Sequence, residues 1–234
     1  HAQVAGGNTA YNFMKLSAGA LQSALGGENI SVLSRDVTMA YSSPSLLRND
    51  MDRQLGFGFI ALPGGVKNLH FTGALDKSRW GTVFSSSLQY FNYGSIQQTD
   101  ASGNMLGNFT PRDYVAQVAA SRQYGRQWFY GAALKYIRSD YGQYRSSAVT
   151  MDIGVNFSDS LGKWQVGLLM KNMGIQLQSF SGEGSEELPF DLQLGITKRL
   201  AKAPFQFSLT LRELHRFLLY NADSTGACDH IMQH

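Results

Sequence analysis

Val149-Thr150-Met151-Asp152-Ile153-Gly154-Val155-Asn156-Phe157 alternates without a break. Val149, Met151, Ile153, Val155 and Phe157 fall on one side, and Thr150, Asp152, Gly154 and Asn156 on the other. A strict period of two is the mark of a β-strand with two different faces. The same pattern recurs at Trp164–Lys171, Phe190–Thr197 and Phe205–Arg212, and more weakly at 54–62, 68–76, 80–92, 112–124 and 127–138. The chain is therefore expected to be all-β from about residue 51 onward, with about nine strands. Short turns are expected at 76–79, 125–127, 158–163 and 201–204, and longer links at 62–67, 93–111, 139–147 and 177–188.

Alternation fits both a soluble barrel, apolar inside, and a membrane barrel, apolar outside. The side opposite the apolar one decides between them. It consists mostly of Gly, Ser, Thr, Asn, Gln and Ala with isolated charges, whereas a solvated exterior carries many Lys and Glu residues. Charged residues make up only 16% of the chain against 43% hydrophobic, below the roughly 25% charged typical of soluble domains. Aromatics gather near strand ends, at Trp128, Tyr136, Trp164, Phe190 and Tyr90 with Phe91, where headgroups meet hydrocarbon. Several segments reach nine residues or more, enough for a tilted strand to cross a bilayer. The expectation is a transmembrane antiparallel β-barrel in a bacterial outer membrane.

Residues 1–50 read differently. Phe13, Leu16, Ala20 and Ala24, flanked by Leu21 and Leu25, recur at helical spacing before Gly26-Gly27, and Asp36 is placed to cap a short helical turn that Pro44 interrupts. The division is thus a partly helical plug at 1–50 and barrel strands at 51–234. An odd strand count leaves an open edge in hydrocarbon, and Cys228–His234 is not a strand finishing on an aromatic. The barrel as given is therefore expected to be incomplete, the chain truncated.

No Gly-x-Ser-x-Gly, Walker loop or His-Glu-x-x-His occurs. No enzymatic activity and no cofactor is expected. His70, on the polar side of an early strand, reads as a hydrogen-bonded interior residue. Cys228 with His230 and His234 matches no standard metal spacing. A net charge of +3 does not point to nucleic acid. Asp152, Lys171, Asp191 and Arg212 fall on the polar side, where they pair with one another, hold the plug, or line a path. The partner-facing candidates are Met105, Leu106 and Phe109 in the long link 93–111, and Glu183 and Glu186 in an acidic one.

Several short motifs in order carry a resemblance: Tyr11-Asn12-Phe13-Met14-Lys15-Leu16, Ala24-Leu25-Gly26-Gly27, Leu88-Gln89-Tyr90-Phe91-Asn92-Tyr93-Gly94, Lys171-Asn172-Met173-Gly174, Leu188-Pro189-Phe190, Ala203-Pro204-Phe205 and Leu214-His215-Arg216. Across residues 5–217 the chain resembles the PorV/PorQ family of type IX secretion outer-membrane proteins, distant relatives of FadL-type transporters. It departs from the family pattern at Ser43-Pro44-Ser45, where an Asn-Pro-Ala motif would stand. The resemblance implies a FadL-like barrel of about fourteen strands in the attachment complex for protein transport. It also implies a PorZ-like surface partner beside PorU and PorV, and contact with lipopolysaccharide. The alternative is a FadL-like transporter of hydrophobic small molecules, gated by residues 1–50.

Overall fold

Period-two segments become strands in the computed structural model, which describes residues 9–77, 81–99, 102, 104–180, 186–201 and 203–215. The strands are β1 (Leu55–Ala61), β2 (Lys67–Lys77), β3 (Thr82–Asn92), β4 (Ile96–Thr99), β5 (Met105–Phe109) and β6 (Arg112–Tyr124). They continue with β7 (Trp128–Tyr141), β8 (Tyr144–Ser158), β9 (Trp164–Gln178), β10 (Asp191–Arg199) and β11 (Gln206–Leu211). Nine of them form one antiparallel sheet in the order β1-β2-β3-β6-β7-β8-β9-β10-β11, while β4 and β5 pair separately. Among the described residues β1 and β11 are the sheet's free edges. The fold class is all-β, a meander with one hairpin inserted between β3 and β6.

Two links differ from expectation. The link placed at 139–147 does not exist as a long loop: β7 runs to Tyr141, β8 starts at Tyr144, and the two pair directly. Gly142, at φ 73°, makes the turn, and the polar run Arg138–Tyr144 lacks the apolar alternation that would have marked it as strand. The link 93–111 contains the β4–β5 hairpin, with Ile96 opposite Phe109.

The N-terminal segment is less helical than its spacing suggests. A 3₁₀ turn covers Asn12–Lys15, and α1 only Ala20–Ala24. Gly26 and Gly27 do end α1, both at positive φ, with the Gly27 N–H donated to the Gln22 carbonyl at 2.9 Å. The apolar stripe is only partly buried. Phe13 joins a hydrophobic cluster, whereas Leu16 is exposed and Gln22 is the residue α1 buries, its Oε1 accepting the Ala18 N–H at 3.3 Å. Asp36 accepts the Thr38 N–H at 2.9 Å ahead of α2 (Met39–Ser42), and a 3₁₀ turn at Pro44–Leu46 follows.

This segment packs along one face of the sheet, here the inner face, and touches every strand of it. Ala18 lies against Gly58 of β1, and Asn68 of β2 donates to the Ser17 carbonyl. Tyr41 donates to Gln89 of β3, and the Pro44 turn abuts β6 and β7. Tyr11 bonds Ser146 of β8, Glu28 pairs with Lys171 of β9, Ser31 bonds Thr197 of β10, and Asn29 bonds Ser208 of β11. Glycines make room for it. A Cβ on Gly131 would lie 2.6 Å from the Pro44 carbonyl, and one on Gly167 would lie 2.5 Å from that of Ile30.

Candidate functional site

The two faces of the sheet are inverted relative to a soluble protein. Leu55, Phe57, Leu75, Leu88, Val118, Leu134, Leu168 and Phe207 are exposed, Leu55 at 75%. Asn68, Thr72, Ser87, Gln89, Gln117, Lys135, Thr150, Asp152, Asn156 and Gln193 are buried. Water would penalise such an outer face at about 25 cal/mol per Å². Aromatics flank the outer apolar band: Trp128, Trp164 and Phe157 toward one rim, and Tyr90, Tyr114 and Tyr136 toward the other. Trp128 to Tyr136 spans about 26 Å along β7. Phe91 is not part of that girdle. It points inward into a cluster with Tyr11, Phe13 and Ile137.

The inner face carries a charge cluster centred on β7–β10. Lys135 and Asp152 pair across the β7–β8 ladder at 2.5 Å, with side chains 1% and 0% exposed. Next to them the β8–β9 register slips, so that Lys171 and Asn172 together stand opposite Asp152. Asn172 adopts φ 59°, a left-handed conformation that Asn tolerates and that a bulge requires. Both residues thereby face inward. The Asn172 N–H is donated to Asp152 at 2.8 Å, and its side-chain amide accepts from Lys135 at 3.2 Å and donates to the Pro189 carbonyl at 3.0 Å.

Lys171 then reaches Glu28 of the N-terminal segment at 2.5 Å, and Arg212 reaches the same carboxylate at 3.0 Å. Gln193 donates to Glu28 at 2.5 Å and to Asp191 at 2.7 Å, and Arg212 also lies 3.5 Å from Asp191. Three acids thus balance three bases. Burial pushes the Glu28 carboxyl up, but Lys171 and Arg212 more than offset it and hold it below the ordinary value. Of the four interior charges expected from sequence, Asp191 and Arg212 pair with each other. Lys171 instead holds the plug, and Asp152 takes Lys135. Lys135 and Glu28 were missed: Lys135 has the inward parity of β7, a signal that could have found it, whereas nothing near Glu28 marks it.

A second cluster lies near the rim formed by the ends of β3 and β7. Asp113 of β6 accepts hydroxyls from Tyr93 at 2.5 Å, Tyr141 at 3.1 Å, and Ser139. Tyr141 stacks on Phe180, which meets Tyr11. Burial, then Asp113, raises the Tyr93 hydroxyl above its ordinary value. His70 is not hydrogen-bonded as expected. It is 1% exposed, edge-on to the Tyr41 ring at 4.8 Å, and neither ring nitrogen has a hydrogen-bond partner among the described residues.

The partner-facing candidates divide. Met105 is exposed at the tip of β5, while Phe109 is half-buried against the Gly142 turn. Leu106 lies in the same strand, its side chain outside what is described. Glu186 is tied to β9: its N–H is donated to Gln176 at 2.8 Å. Glu183, Cys228, His230 and His234 lie outside the described residues. Beside Glu186 and Glu187 a cavity of about 760 Å³ opens, lined by Lys15, Met173, Ile175, Gln176, Leu188 and Phe190 among others. No group of three or more His, Cys, Asp or Glu side chains among the described residues is arranged to hold a metal. No helix there is long and apolar enough to cross a membrane. No protein-family model matches the chain, and no curated protein matches it.

Proposed function

We propose that the chain supplies strands of a transmembrane β-barrel of a bacterial outer membrane, acting as a plugged anchor for a surface protein. The observation that carries this reading is the inverted sheet: an exposed apolar face between aromatic girdles, and a buried polar face. The plug is fastened by Glu28 and touches all nine strands, which suits an anchor better than a conduit. In keeping with the resemblance to the PorV/PorQ family, we assign the barrel about fourteen strands and a place in the type IX attachment complex. Its partners there are a PorZ-like surface protein, with PorU and PorV beside it. The exposed Ile96 and Met105 of the β4–β5 hairpin are the apolar contacts such a partner would cover.

A FadL-like transporter is the second reading, favoured by the cavity beside residues 186–190. Affinity capture of the intact protein from outer membranes separates the two. A secretion partner retained by the wild type and released by Met105→Asp supports the anchor. No secretion partner, together with solute flux in liposomes, supports the transporter.

A further inference from the structure

Among the described residues cations are in excess at one rim of the sheet. Arg126 and Lys163 lie in the connections 125–127 and 159–163 at that rim, beside Asp159. Arg122, Lys198 and Arg199 end their strands at the same rim, and Lys198 lies 4.5 Å over the Trp164 ring. At the opposite rim the strand ends carry Lys67, Arg112, Arg138 and Arg145, balanced by Asp140, Glu186 and Glu187.

The outer face adds a second observation. Two apolar grooves, of about 570 and 410 Å³, run over β1, β2, β3 and β6 and share Phe71 and Leu88. They make one track across the apolar band. Its floor is low because Gly73, Ser86 and Ala116 stand between large neighbours. Its walls include Leu55, Leu75 and Val118. One end reaches Tyr90, Tyr114 and Tyr136. The other ends on Arg53 at the cationic rim, whose guanidinium is exposed and lies 3.3 Å from Asp52. Arg122 stands two outward positions beyond Val118 on β6.

Resting on the membrane reading above, we propose that this track seats one anionic glycerophospholipid, an acyl chain along Phe71–Leu88 and the phosphate at Arg53 and Arg122. Between Ser85 and Tyr90 of β3 the track runs about 17 Å, the scale of an extended acyl chain, and the guanidinium groups suit a phosphate. The cation-rich rim places that headgroup in the leaflet on its own side.

The test is native mass spectrometry of the full chain in detergent, titrated with phosphatidylglycerol or phosphatidylcholine of matched acyl chains, after a check that the protein floats with liposomes. The wild type should retain one phosphatidylglycerol in preference to phosphatidylcholine. Arg53→Gln with Arg122→Gln should weaken phosphatidylglycerol about thirty-fold while leaving phosphatidylcholine unchanged. Ser86→Trp, which fills the groove floor, should lose both. Equal retention of the two lipids by the wild type, or unchanged retention by the arginine double variant, overturns the proposal and leaves the membrane reading standing. Failure to float with liposomes overturns the membrane reading and the proposal with it.

Discussion

Glu28 is the one carboxylate the N-terminal segment sends into the charge cluster, so its removal should have a larger effect than that of any single partner. In Glu28→Gln the Lys171 ammonium, 7% exposed, keeps only the field of Asp152. An unpaired buried charge costs about 3–5 kcal/mol, and the remaining field argues for about 3. Lys171→Met is milder, about 1–2 kcal/mol, since Glu28 retains Arg212 at 3.0 Å and Gln193 at 2.5 Å. Glu28→Gln with Lys171→Met removes the pair together and should lie within about 1 kcal/mol of Lys171→Met alone. The measurement is urea unfolding in lipid vesicles followed by tryptophan fluorescence, with midpoints compared at constant slope. A coupling energy below about 0.5 kcal/mol would mean that the pair does not fasten the plug. The pH dependence has a definite sign. A carboxyl held below its ordinary value of 4.5 in the fold contributes stability that is present above that value. The contribution is lost as pH falls through the lowered one. The latch should therefore hold through neutral and mildly acidic pH, and protease cleavage within residues 9–53 should appear only in strong acid.

Other perturbations separate the parts of the argument. Leu134→Arg, at the middle of the outer band, should cost about 2–4 kcal/mol of folding stability in vesicles; no cost would show that this face does not meet hydrocarbon. Gly131→Val forces a side chain into the Pro44 carbonyl and should cost about 1–3 kcal/mol while loosening residues 40–50 to proteolysis. Unchanged protection would show that the plug does not sit against β7. Asp113→Ala leaves the Tyr93, Tyr141 and Ser139 hydroxyls without their acceptor. It should destabilise by about 2 kcal/mol in urea unfolding, and a midpoint equal to wild type would show the cluster is solvated.

The sheet was legible because its residues obey a rule of period two that needs no knowledge of neighbours. β6, with bounds expected at 112–124, is found at Arg112–Tyr124. The rule fails where both faces turn polar, as at Arg138–Tyr144, where β7 and β8 pair in place of the expected loop. Helical periodicity is only partly a guide in the N-terminal segment. Phe13 is buried as the stripe suggests, but Leu16 is left out and Gln22 is buried, because between Phe13 and Leu25 only Ala20–Ala24 is α-helical. The cluster was half legible. Asp152, Asp191 and Lys171 are marked by their parity, but their partners depend on register and on a chain segment more than a hundred residues away.

The bulge at Lys171–Asn172 shows why plug and sheet determine one another. A regular β9 would alternate Lys171 inward with Asn172 outward, placing an amide against the apolar side. The extra residue turns both inward and restores the outward phase at Met173, Ile175 and Leu177. One residue of irregularity thus keeps the outer band apolar and supplies the inner face with two polar groups. The amide then ties Lys135 to the Pro189 carbonyl, and the ammonium is free to reach Glu28. Without the N-terminal segment, Lys171 would lose its nearest counter-charge; without the bulge, Asn172 would stand on the apolar outer side. The inner polar face is therefore built as a fitted seat for one particular segment, and a seat of that kind favours a plug that stays in place.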